Sequence, residues 1–248
     1  MAQRSPTRNP AYERGVQHGA LAGVGLTVGA TVLTVVLTGA GTLLWKYIKK
    51  QRHLWDAEAL IAHRRSIFPQ DYDTTRAVPE EVLNKMFESA NWAPTHGRTE
   101  PWRFVVFGGD ARRKLGETDQ ALYKAKTPEG SFMPKKYTKK LASKLQASYV
   151  VAICMKRQES KKIPEIEEIE AVACAVQNMH LCATAHGVGA YWSSVPGSYY
   201  EEMKEYVGGL GPDDKLLGFF YIGFPKPDFK HPTGSRKSAA EKVRFVYE

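Results

Sequence analysis

From Gly15 to Trp45 the chain carries no Asp, Glu, Lys or Arg, and from Gly19 onward the run is almost wholly Gly, Ala, Val, Leu and Thr. At ~1.5 Å per residue a helix over Gly19–Trp45 reaches ~40 Å, enough to cross a bilayer core of ~30 Å with some tilt. Trp45 and Tyr47 stand beside Lys46, Lys49, Lys50 and Arg52, as an interfacial aromatic belt with a basic flank would. The run therefore predicts one spanning helix over residues 18–48, a tail over residues 1–17, and a separate domain over residues 54–248. Membrane lipid is the implied partner. A cleaved secretory signal fits poorly because its apolar region is short, whereas residues 1–14, with Arg and a single acid, also suit an organellar presequence. More positive charge follows the span than precedes it, which puts the large domain in the cytosol, or in the matrix if the membrane is the mitochondrial inner one. Gly19, Gly23, Ala30 and Thr34 give the span a small-residue face suited to packing on another membrane helix.

The remaining two hundred or so residues suit one sizeable core rather than two. A formal net charge of +9 invites a nucleic-acid partner, but residues 1–52 hold seven of the 35 basic residues and one of the 26 acids. That leaves 28 against 25, so the basicity belongs mainly to the membrane flanks and no nucleic-acid partner is expected. Cys154, Cys174 and Cys182 lack CxxC spacing, and the last two fall in an apolar helical pattern, so they read as small buried hydrophobes rather than a disulfide framework. The seven histidines include no HExxH pair, and no metal is expected.

Periodicity and breakers predict helices over Leu54–Arg64 and Pro79–Trp92, a strand at Arg103–Phe107, and Asp110 as the N-cap of a following helix. They also predict a strand at Tyr149–Met155, a long apolar helix at Glu165–His186 ended by Gly187, and strands at Ala190–Ser193 and Leu216–Gly223. A Pro-rich tail then ends in the strand-like Val243–Tyr247. Helices outnumber strands and do not strictly alternate with them, which indicates an α+β fold with a mixed sheet.

Two segments carry candidate chemistry. Arg64-Arg65-Ser66 offers two guanidiniums and a hydroxyl, a donor set suited to phosphate oxygens, although a solvated basic turn has the same composition. Ala93-Pro94-Thr95-His96-Gly97-Arg98-Thr99-Glu100-Pro101-Trp102 is a polar loop between a helix and a strand, where functional groups often lie.

Together with Gln177-Asn178 in the long helix and Gly223-Phe224-Pro225 near the end, these segments make residues 54–247 resemble the FMN-dependent nitroreductases. The resemblance implies a mixed sheet wrapped by helices in an intertwined homodimer, with FMN at each of two subunit interfaces and NADH or NADPH as electron donor. It implies Arg64, Arg65 and Ser66 as cofactor ligands, and Arg236, or else Lys237, as a late basic residue completing the phosphate site. It further implies Trp192, Ser193 and Ser194 along the isoalloxazine, with a hydrogen bond near its reactive nitrogen, and Gly223 close by. His96 and Trp92 flank the loop over the ring; His96 either orients the flavin, donates a proton or is structural. The flavin would carry the electrons, which explains the lack of any acid–base constellation. Trp92, Trp102, Tyr123 and Trp192 would line or fill the pocket for a nitroaromatic, quinone or similar small acceptor.

Two further readings accompany this one. The chain resembles iodotyrosine deiodinase in Thr99-Glu100-Pro101-Trp102 and in its anchor, with Asp119, Tyr123 and one of Lys139, Lys140 or Lys144 at the places that hold an amino-acid zwitterion. Alternatively, the domain is an accessory subunit of a larger membrane complex.

Overall fold

The structure is a computed structural model that describes residues 56–194 and 196–248. The expected tail at 1–17, span at 18–48 and start of the first helix at Leu54 lie outside the described residues. Among the described residues no helix is long and apolar enough to cross a membrane.

The described residues form one compact unit. Its helices are α1 (Ala57–His63), α2 (Glu80–Asn91), α3 (Ala111–Lys126), α4 (Pro134–Gln146), α5 (Glu165–Ala185) and α6 (Glu201–Val207). Its strands are β1 (Trp102–Phe107), β2 (Tyr149–Met155), β3 (Gly189–Ser193) and β4 (Lys215–Gly223), paired in the order β1-β2-β4-β3. Continuous apolar runs place β2 and β4 at the centre, where nearly every residue is buried. One face of the sheet packs on α2 and α5 through Met86, Val172, Val176, Met179, Phe220 and Ile222. Leu115, Val150, Ala152, Met203 and Phe219 form a second core with α3 and α6.

The longest helix among the described residues, α5, buries Glu168, Ala171, Val172, Ala175, Val176, Met179, His180 and Ala183, the recurrence of a single helical face. Cys174 lies off that face and is exposed, contrary to the expectation of burial; Cys182 is half-buried and Cys154 buried.

The strand ladders are antiparallel throughout rather than mixed, and parallel pairing is confined to a bridge between Ser66 and Ala190. The β2–α5–β3 segment does bring its strands back parallel to each other, but β4 inserts between them and is antiparallel to both. A register shift between Ile153 and Cys154 falls opposite Gly218, whose φ of 127° suits glycine. A Cβ at Gly218 would lie 2.5 Å from the Ser193 carbonyl oxygen and 2.8 Å from Trp192 Nε1, so the absence of a side chain there lets β3 close onto β4.

Other expectations shift locally. Pro79 is the N-cap of α2 rather than its first residue. The Asp110 side chain makes no capping hydrogen bond and instead faces Arg113 and Lys114 at 3.6 and 3.9 Å. Residues 243–247 are irregular and exposed rather than a strand, since among the described residues no neighbouring strand pairs with them.

Candidate functional site

Helix α1 ends at His63, and the chain turns into an extended segment along β3: Ser66 bridges Ala190, and the Ile67 amide donates to the Ala190 carbonyl at 3.1 Å. This fixes Arg64 and Arg65 at the end of the sheet. Burial, and after it the charges of Arg65 and Arg236, lower the Arg64 pKa. The C-terminal tail thus brings Arg236 to the sequence-distant Arg64. Arg65 donates through one terminal nitrogen to the Ala62 and Arg64 carbonyls at 2.6 and 2.7 Å, while its Nε is buried without a partner. Gly234 passes so close that a Cβ there would lie 2.0 Å from the Arg65 guanidinium. His231 stacks on His63 at 4.1 Å between centroids; burial first, then His63 and Arg65, lower its pKa. Ser66 is exposed at the same edge. Cations pressed together with an orphaned donor make a site that an anion such as a phosphate would relieve.

Below them His180, from the buried face of α5, lies with Nε2 3.1 Å from the Arg65 carbonyl oxygen, and its ring meets Phe220 edge-on. Burial, then the Arg64 charge, push its pKa down to about 4, so the ring is neutral at pH 7 and donates through Nε2. In the sequence His180 was hidden among the apolar residues of a helix. Gly234 and His231, from the Pro-rich tail, gave no signal at all.

The other expected residues sort differently. Trp192 packs toward the α5 core and donates from Nε1 to the Leu217 carbonyl at 3.1 Å. Ser193, buried, faces the opposite side, and Ser194 is exposed just past the strand end. Gly223 lies flat against a buried tyrosine: a Cβ there would come within 2.6 Å of the Tyr72 ring, whose hydroxyl donates to the Ile67 and Tyr221 carbonyls.

The loop after α2 stands elsewhere. His96 Nδ1 is 2.6 Å from the Glu167 carboxylate in the first turn of α5. Glu167 precedes His180 by thirteen residues, so the loop and the arginine cluster lie about 20 Å apart along one helix. Trp92, at the end of α2, is 80% exposed. Gly97, Arg98 and Glu100 all have positive φ, and two of them are not glycine; the Thr95 hydroxyl holds the turn by accepting from the Glu100 amide. Backbone strain of this kind clusters at functional loops.

A cavity of about 450 Å³ opens between α3, α4, the turns Pro69–Asp71 and Pro196–Tyr199, and the outer side of β3 and β4. Asp119 and Tyr123, the pair that keeps the deiodinase-like spacing, both line it. Asp119 is already engaged by two cations, Lys140 at 2.6 Å and Lys144 closer still. Burial raises its pKa, but these lysines outweigh that and hold it below the usual carboxylate value.

Residues 61–224 match the model of the nitroreductase family. The Putative NAD(P)H nitroreductase YdjA of Escherichia coli K12 is 27% identical over 182 residues, covering 69% of this chain and 89% of its own length. The iodotyrosine deiodinase of Hydra vulgaris is 25% identical over 183 residues, 66% of this chain and 64% of that protein. In fold, the nitroreductase-like protein of Bacillus cereus superposes with a TM-score of 0.63 at 24% identity, covering 78% of this chain and 97% of the other. The FMN-dependent nitroreductase NfnB of Mycobacterium smegmatis, solved with NADPH, gives 0.60 at 21% identity over 77% and 98%. The chain belongs to the nitroreductase family.

Proposed function

We propose that the chain is an FMN-dependent oxidoreductase, anchored by residues 18–48, that moves electrons from NADH or NADPH to a nitroaromatic, quinone or similar small acceptor. The observation that carries this reading is the cluster of Arg64, Arg65 and Arg236. The charges that depress Arg64 are both cationic, and the buried Arg65 Nε has no partner, as in a site built for a phosphate. Arg64 and Arg236 would hold that phosphate; Trp192 and Ser193, on the adjoining strand, and Ser194, just past its end, would position the ring. Bound FMN would supply the hydride and electron chemistry. The names of the relatives, which specify NAD(P)H and FMN, agree with this assignment.

The 20 Å between His96 and the arginines separates two parts that the family resemblance assigns to one flavin. A homodimer resolves the separation if the loop of one protomer reaches the arginine cluster of the other.

Full-length protein purified in detergent should be yellow and release FMN on denaturation. Arg64→Ala combined with Arg236→Ala should strip the flavin, since each charged hydrogen bond contributes about 1.5–3 kcal/mol. In anaerobic stopped flow, NADH or NADPH should bleach the flavin and a quinone restore it. Colourless protein that fails to quench added FMN would overturn the reading, and release of the chain from membranes by carbonate would overturn the anchor.

A further inference from the structure

The hairpin of α3 and α4 differs in charge from the rest of the molecule. Residues 53–248 as a whole carry 28 basic side chains against 25 acidic ones, whereas α4 has five lysines and no acid. Helical spacing divides these lysines. Lys140 and Lys144 turn inward onto Asp119, while Lys135, Lys136 and Lys139 are exposed and form no ion pair among the described residues. Lys124, in the last turn of α3, is exposed at the same end of the hairpin. Lys126 is held by Glu202 of α6, which leaves four unpaired cations against a lone acid, Glu129, between residues 124 and 139.

The turn between the two helices is held by aromatic residues. Phe132 meets the Tyr123 and Tyr137 rings at 5.3 and 5.8 Å, and the Met133 amide donates to the Tyr123 hydroxyl at 3.0 Å. Met133 itself projects, with 47% of its surface exposed. A projecting apolar side chain flanked by lysines suits a lipid surface, where apolar atoms enter between headgroups and ammonium groups stay among them.

The chain between the proposed span and the domain selects a bilayer over other acidic partners. Eight residues, 49–56, join residues 18–48 to α1, and a fully extended chain of that length reaches at most ~30 Å. The domain would be kept within that distance of the headgroups, on the side where the flanking charge puts it and where the leaflet is anionic. Such tethering raises the effective concentration of the surface, so a contact too weak to recruit a free protein becomes populated.

We propose that the tip of the α3–α4 hairpin docks on the anionic leaflet of the membrane that the chain spans, with Met133 in the headgroup layer and Lys124, Lys135, Lys136 and Lys139 on the lipid anions. The proposal rests on the anchor assigned to residues 18–48 and is independent of the flavin.

The test is amide hydrogen exchange, read by mass spectrometry, on the full-length protein in nanodiscs of phosphatidylcholine alone or mixed with phosphatidylserine. At low salt residues 124–139 should exchange at least about fivefold more slowly in the mixed discs, the factor that one lysine near an anionic leaflet contributes, and high salt should erase the difference. Lys124→Glu combined with Lys135→Glu should abolish the protection, with unchanged exchange in β2 and β4 reporting an intact fold. Lys114→Glu combined with Lys162→Glu, the same change of charge away from the tip, should leave it in place. Equal exchange in the two kinds of disc, or protection that survives reversal of Lys124 and Lys135, would overturn the proposal. So would protection that appears only when an RNA oligonucleotide is added. A chain that elutes apart from the discs loses the anchor reading and this proposal with it; one that co-elutes with an unprotected tip loses this proposal alone.

Discussion

His180 shows how one buried side chain links the site to stability. Its pKa falls from the ordinary 6.5 to about 4 in the fold. Between these values the unfolded chain binds a proton that the native state does not, so stability falls as pH drops. The contribution is whole above pH 6.5 and is lost progressively toward pH 4, by about 3 kcal/mol at most. His180→Gln keeps a donor for the Arg65 carbonyl and removes the titration. In urea unfolding, the wild-type advantage over this variant should therefore shrink between pH 7 and pH 4.5; a constant difference would assign the acid limb to other groups. Arg64-Arg65-Ser66 was legible in the sequence because three donors in a row announce themselves. His180 was not, since an apolar helical face conceals a polar member until its long-range partner is known. Asp119 was singled out through the deiodinase resemblance, but its pairing with both Lys140 and Lys144 depends on how α3 meets α4.

At the scale of elements, continuous apolar runs made β2 and β4 readable almost to the residue, and the 3.6-residue period did the same for α5. Helix α4 escaped because lysines dominate it, and α6 because seven residues give too little periodicity. Gly223 was read through its motif as part of the cofactor site, yet in the fold it gives Tyr72 room against the end of β4. Tyr72 is 1% exposed and tied by its hydroxyl to two carbonyls, so it has nowhere to move. Gly223→Ala should accordingly cost about 1–3 kcal/mol through overpacking. Thermal unfolding of the flavin-free protein is the appropriate measurement, because a glycine needed only for cofactor contact would leave that transition unchanged.

At the scale of the whole molecule, the end of the chain is the part that least resembles a finished monomer. Val243, Phe245, Val246 and Tyr247 are 51–88% exposed, and residues 243–247 have strand-like composition without a strand beside them. Apolar surface of this kind calls for a partner, and a second copy of the chain also answers the 20 Å gap between the His96 loop and the arginine cluster. One chain's sequence can display such a segment, but in the proposed homodimer the surface that receives it would be set by the pairing of two folded copies. Truncation after Lys237 retains Arg236 and removes residues 238–248. If the tail clasps a second protomer, sedimentation in detergent should show the full-length protein as a dimer and the truncated one as a monomer. The truncated protein should also lose flavin, because each site would then lack the loop of its partner. A truncated protein that stays dimeric, or a full-length protein that sediments as a monomer, would remove the tail from the interface.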